Sequence, residues 1–209
     1  MLYSPINGWC FVHVPKNGGT SIVKHNRNNQ ICQFIKVAGG STYHNKWSYY
    51  KNNERLKGLT PVAILRNPWS RCLSIFLYNI KLTESKLGSE GCEWADIDHA
   101  RLLRDGFKKS WMPGGFFRDE HGRESEYIEG GRQWAQDDAQ HTWLDGEGKW
   151  FRLEDQLDDF CRFTGLPMPG QVNTTPHTHY SEYYDEELVE EIRLLYQADI
   201  ELGDYSFSD

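Results

Sequence analysis

Trp9-Cys10-Phe11-Val12-His13-Val14-Pro15-Lys16-Asn17-Gly18-Gly19-Thr20-Ser21 reads as a buried strand, a glycine-containing loop and the start of a helix. Trp9 to Val14 is a short apolar run, and Pro15 and the glycine pair end it. Thr20 or Ser21 is placed to cap a helix over about 20–29. Glycines let main-chain N–H groups turn towards a ligand, and a helix N-terminus adds positive potential, so the stretch predicts an anion cradle. It is not the GxxxxGK[ST] loop of the nucleoside triphosphatases, in which the lysine follows the glycines. Here Lys16 precedes them.

A second unit of the same kind lies outward from this one. Pro61 to Leu65 (PVAIL) predicts a buried strand, with Arg66 at its C-terminal end, then Asn67-Pro68 and a helix from about 69 to 82. Ligands of open α/β sheets bind at such strand ends. Ser74 falls early in the helix, so the Arg66 guanidinium and the Ser74 hydroxyl are spaced to hold a second phosphate. No strand ends in an aspartate placed to hold magnesium, so charge at this site falls to lysine and arginine rather than a metal. Ile31 to Val37 predicts another strand, broken at Gly39-Gly40, and residues 45–56 a helix. Strand–turn–helix units in series predict an α/β fold: a short parallel sheet flanked by helices.

The remainder is read more coarsely. A helix over about 95–109 is followed by Gly-, Trp- and Arg-rich loops, a strand at 150–153 and a helix at 155–164 stopped by Gly165-Leu166-Pro167. Residues 167–184 carry no periodicity. Asp185 then caps a helix with Leu188, Ile192, Leu195 and Tyr196 on one face. The length, 209 residues, suits a single domain over 1–209, with 83–148 as substrate-side helices and loops.

Composition excludes several classes. With 38% hydrophobic and 25% charged residues the chain is globular rather than disordered. No apolar run approaches the ~20 residues that span a bilayer, and the N-terminus lacks the basic and apolar regions of a secretory signal. Five cysteines (Cys10, Cys32, Cys72, Cys92, Cys161) without a CxxC pair argue against a disulfide framework or a structural zinc site. A soluble, cytoplasmic protein with reduced thiols is expected. The net charge of −7 divides into +10 over residues 1–82 and −17 over 83–209. The first part is suited to an anion, or the two parts pair with each other. The positive charge forms no basic-aromatic stripe, which argues against nucleic acid.

With both motifs in place, the chain resembles the sulfotransferases that use 3'-phosphoadenosine 5'-phosphosulfate (PAPS). FVHVPKNGGTS is similar to their 5'-phosphosulfate loop, and LRNPWSRCLSIF to their 3'-phosphate motif, in a form nearest the carbohydrate (Golgi-type) branch and its bacterial and viral relatives. WFRLED at 150–155 resembles that family's RfE strand, and the stretch from Tyr183 to Phe207 its C-terminal helix and tail. The resemblance implies a P-loop-like sulfotransferase fold, and transfer of a sulfuryl group from PAPS to an acceptor hydroxyl, on a carbohydrate, without a metal. It implies that Lys16 meets charge on the bridging oxygen, and that Asn17, Gly18, Gly19, Thr20 and Ser21 hold the 5'-phosphate. Arg66 and Ser74 would hold the 3'-phosphate that the product PAP retains. Arg71 is either a ligand or an ion-pair residue. Asn173-Thr174-Thr175-Pro176-His177 resembles a loop near the cofactor, which brings in Thr175 and His177. Eukaryotic members carry a membrane anchor and stem. With its first strand expected at Trp9, this chain is expected to lack both, in keeping either with a soluble bacterial or viral enzyme or with a trimmed form of a longer protein.

An alcohol attacking sulfur must lose its proton, so a general base is required. His44, between the two phosphate motifs, stands where carbohydrate sulfotransferases often place a histidine; the alternative is a surface or core histidine at a helix start. His13, inside the first strand, is read as structural. His141, His177 and His179 are candidates for the cofactor or substrate mouth. Glu124 and Glu126 are alternative bases. His25, His99 and His121 are read as solvated. Trp94, Trp111, Trp134 and Trp143 are either sugar platforms or core. Two other functions remain open: a nucleotide-dependent small-molecule kinase, which the missing GK[ST] and magnesium aspartate oppose, and a protein that binds PAP without turnover.

Overall fold

The computed structural model describes residues 1–26, 29–35, 44–87, 139–170, 172 and 177–208. Glu124, Glu126, His99, His121, Trp94, Trp111, Trp134, Thr175 and the helix expected over 95–109 lie outside them. The chain forms two compact units. The first comprises Met1–Asn67, Ala139–Thr174 and Ala198–Tyr205; the second comprises Pro68–Asp138, Thr175–Gln197 and Ser206–Asp209.

The first unit is built on five strands: β1 (Leu2–Ser4), β2 (Trp9–Phe11), β3 (Gln33–Phe34), β4 (Thr60–Leu65) and β5 (Lys149–Arg152). Their order in the sheet is β3-β1-β2-β4-β5. The run β2-β4-β5 is parallel, with Phe11 opposite Val62 and Leu65 opposite Arg152. The α/β class and the strands at Trp9, Pro61 and Trp150 therefore stand. The other side of the sheet differs from expectation. Residues 1–8, read as lying before the first strand, supply β1, and β1 runs antiparallel to both β2 and β3. The reason is length. A four-residue connection between β1 and β2 allows only a hairpin, because a parallel return needs a crossover of a dozen residues or more. In the described part of the apolar run Ile31 to Val37, the strand covers Gln33–Phe34.

Strand side chains alternate between two cores. Leu2, Trp9, Phe11, Val62, Ile64 and Phe151 face one layer together with Ile22, Phe160 and Leu166. Ile22 comes from α1 (Gly19–Asn26). Cys10, Val12, Val14 and Ala63 face the other, with Trp47, Tyr50, Leu56, Trp143 and Leu144. Trp47 and Tyr50 lie on the single turn α2 (Trp47–Tyr50), and Leu56 on a 3-10 turn over Glu54–Leu56, where one helix over 45–56 was expected. The break falls at Asn53, whose side chain accepts from the Arg55 N–H and starts a separate turn. Trp143 is buried core.

The second unit holds α3 (Pro68–Leu87), which starts with proline at a position that needs no N–H. Trp69 Nε1 donates to the Val189 carbonyl at 3.1 Å, and the Tyr184 hydroxyl donates to the Trp69 carbonyl at 2.7 Å. Helix α4 (Leu157–Thr164), in the first unit, ends where Gly165 was read as its stop, and the Gly165 N–H returns to Cys161 O. In α5 (Glu186–Leu195) Asp185 caps as expected, accepting from the Leu188 N–H at 2.9 Å. Leu188, Ile192 and Tyr196 are buried, but Leu195 is exposed, because the helix ends at it and Tyr196 takes the inward position. Helix α6 (Gln197–Gly203) follows. No described helix is long and apolar enough to cross a membrane.

Candidate functional site

The C-terminal ends of β2 and β4 set the geometry. The ladder between them ends with the Val12 N–H on Val62 O at 2.8 Å. Beyond it the chain runs from β2 into Pro15, which has no N–H to donate, while β4 runs on to Leu65 and is followed by Arg66. Side chains take over the ladder. Asn17 Nδ2 donates to Ile64 O at 2.7 Å and to Gln140 Oε1 at 2.5 Å. Gln140 Oε1 also accepts the Arg66 N–H at 3.0 Å, and its Nε2 donates to Arg66 O at 2.8 Å. On the opposite edge, Leu65 O accepts from the Leu153 N–H and the Tyr205 hydroxyl, and Glu154 Oε1 accepts the Asn67 N–H. The Tyr205 hydroxyl also lies 2.9 Å from Glu154 Oε2; burial, then the Glu154 carboxylate, push its pKa far above the ordinary value.

The loop after β2 is held in an uncommon conformation. Lys16 has φ 67, the left-handed region that non-glycine residues avoid, and Gly18 has φ 75. Arg66 Nη1 donates to Lys16 O at 2.9 Å and braces that turn. Gly19 is required by close approach: a Cβ there would lie 2.1 Å from Cδ2 of His13. Helix α1 starts at Gly19, so Thr20 and Ser21 sit inside its first turn rather than at its cap. Ser21 Oγ accepts the Val172 N–H at 3.1 Å. Main-chain N–H groups of a first helical turn lack i−4 partners within the helix; that of Ser21 donates to Gly18 O at 3.0 Å.

His44 reaches the same loop. Its Nδ1 donates to the His13 carbonyl at 3.1 Å, and the two rings pack at a tilt of 51° with centroids 4.2 Å apart. With the proton on Nδ1, Nε2 is the ring's proton acceptor. Burial lowers the His44 pKa below its ordinary 6.5; the bond to His13 opposes this, and the Lys16 charge adds to it. His13 is buried, and burial, His44 and the N-terminal amine hold its pKa well below 6.5. Its packing against Phe11 and His44 fits the structural reading.

Lys16, Asn17, Arg66 and His44 are therefore brought together in the first unit, with Gly18, Gly19, Thr20 and Ser21 completing the loop. The Asn17 side chain turns inward, so it anchors the loop from within. Ser74 and the fully buried Arg71 lie on α3 in the second unit; the exposed His177 belongs to the same unit but to no helix, and its Nδ1 lies 2.6 Å from Thr178 O. His179 bonds Ser181 and starts the 3-10 turn Tyr180–Tyr183. His25 is exposed but not merely solvated, since it lies 3.0 Å from Ser21 O and accepts the Gly170 N–H. His141 lies in the 3-10 turn Gln140–Trp143, with Nδ1 2.8 Å from the buried Asp199 carboxylate.

Sequence reading missed Gln140 and Asp199. Gln140 is wholly buried, and Asp199 accepts the N–H groups of both Gln140 and His141, at 2.7 and 2.8 Å. Neither belongs to a local pattern; each acts across more than fifty residues of chain. Among the described residues no cluster of three His, Cys, Asp or Glu is arranged to hold a metal.

No protein-family model matches the chain, and no curated protein is similar to it in sequence. Among solved structures, the chain is similar to a sulfotransferase from Alicyclobacillus acidocaldarius at 13% identity, with 96% of this chain and 97% of that chain covered and a TM-score of 0.37.

Proposed function

We propose that the chain is a sulfotransferase that takes PAPS as sulfuryl donor and delivers the group to an acceptor hydroxyl, on a carbohydrate, in a cytoplasmic setting that its free thiols suit. The observation that carries this reading is the junction of Lys16, Arg66 and His44 at the C-terminal edge of β2 and β4. Two cations at a helix N-terminus suit a doubly phosphorylated nucleotide, and a neutral imidazole beside them suits proton removal. The residues fit the donor. In this reading the α1 N-terminus and Lys16 receive the 5'-phosphosulfate and Arg66 the 3'-phosphate; Ser74, Thr175 and His177 are proposed as cofactor contacts from the sequence motifs alone.

Each residue has one task. His44 Nε2 takes the proton of the acceptor hydroxyl as its oxygen bonds to sulfur. Lys16 meets the negative charge that grows on the bridging oxygen as the sulfur–oxygen bond to the 5'-phosphate breaks. The products are a sulfate ester, PAP and a proton on His44, which solvent removes. A positioned base of this kind contributes ~10²–10⁴-fold. The test is an acceptor screen with 35S-labelled PAPS and the purified chain. Label moving to a sugar hydroxyl supports the reading. PAP binding with no transfer to any acceptor turns it into that of a nucleotide-binding protein.

A further inference from the structure

We infer that Gln140 is a positioning residue that couples the two anion grips, so that the loop after β2 and Arg66 act on one nucleotide as a unit. The inference rests on the proposed PAPS site and goes beyond it, because Gln140 belongs to neither phosphate motif. A single buried amide makes three bonds there. Two are to the N–H and C=O of Arg66, reproducing what a neighbouring strand would offer, and one is to Asn17 of the loop. The amide is itself fixed from behind, since the Gln140 N–H donates to the buried carboxylate of Asp199 on α6. A side chain that pins the main chain of one grip and the side chain of the other sets their separation. It also removes the ordering cost that a ligand engaging both would otherwise meet. Gln140 stands 74 residues beyond Arg66 in sequence.

The purified chain and Gln140→Met are titrated with PAP and with adenosine 5'-monophosphate, and folding is checked by cooperative thermal unfolding. The monophosphate engages the loop alone, whereas PAP engages both grips. The variant is expected to lose about tenfold of the preference for PAP while its affinity for the monophosphate stays within about threefold. If Gln140→Met does not fold, Gln140→Glu serves: it keeps an acceptor for Asn17 and the Arg66 N–H, sets an oxygen against Arg66 O, and is expected to lose the same preference in part. An unchanged ratio, or equal weakening of both nucleotides, overturns the coupling role while leaving the PAPS site intact. A wild-type chain without any preference for PAP overturns the site reading itself, and the inference with it.

Discussion

Arg66 Nη1 donates to the main-chain oxygen of Lys16 at 2.9 Å, so the cation that ends β4 is fastened to the loop that follows β2. Lys16 and Arg66, one residue from each motif, meet within one unit of the protein. Their roles can be separated by substitution.

Lys16→Gly separates charge from conformation better than Lys16→Ala. Lys16 sits at φ 67, which glycine adopts freely and alanine does not. Both variants should lose ~10²–10³ in turnover at saturating PAPS, because both lack the ammonium that meets the leaving oxygen. Glycine should be the more stable of the two by ~1 kcal/mol. Normal saturated turnover with weakened PAP binding would make Lys16 an anchor only.

His44→Ala should lower transfer at least ~10²-fold while PAP binding holds. The wild-type pH profile carries a second signature. Burial lowers the His44 pKa, so the imidazole stays neutral to below pH 6.5, and the acid limb of kcat/KM should lie below that value. An acid limb above 6.5 that survives in His44→Ala assigns the base to another group, such as Glu124, Glu126 or His141.

Stability should fall on the acid side for the same reason. His13 and His44 have folded pKa values below those of the unfolded chain, so between the two the unfolded state binds more protons and stability rises with pH. The contribution is full above about pH 6.5 and is lost as pH falls towards the folded values. Denaturant midpoints measured from pH 7.5 to 5 should decline, and His13→Gln should flatten the decline. A variant with the wild-type slope would remove His13 as a cause.

Gly19→Ala should destabilise the protein by ~1–3 kcal/mol, the usual range for overpacking. The added methyl would meet the His13 ring, which is held between Phe11 and His44 and has little room to yield. A denaturant midpoint within error of wild type would show that the ring moves aside.

Much of this arrangement is legible in the sequence because it is local. Pro15 and Pro68 mark the ends of the elements before them, the apolar runs at Trp9 and Pro61 form neighbouring parallel strands, and Asp185 and Gly165 act as cap and stop. What escaped was non-local or short. Three residues, Leu2 to Ser4, are too few to show an alternation, so β1 and the antiparallel side of the sheet were not foreseen. Gln140 and Asp199 look like any surface polar pair until the fold buries Gln140 against Arg66 and Asn17, with Asp199 bonded to the Gln140 main chain. The inward turn of Asn17 follows from Pro15, which has no N–H to extend the ladder past β2, so that Ile64 O takes its donor from the Asn17 side chain.

The central claim is that Lys16 and Arg66 grip the two phosphates of one nucleotide. Thermal unfolding of the wild-type chain with PAP and with adenosine 5'-monophosphate, each at the same concentration, tests it most directly. PAP at about 100 times its Kd should stabilise the fold by ~2.7 kcal/mol, the monophosphate should do so far less, and Arg66→Ala should erase the difference. Equal shifts from the two nucleotides in the wild-type chain would contradict the account.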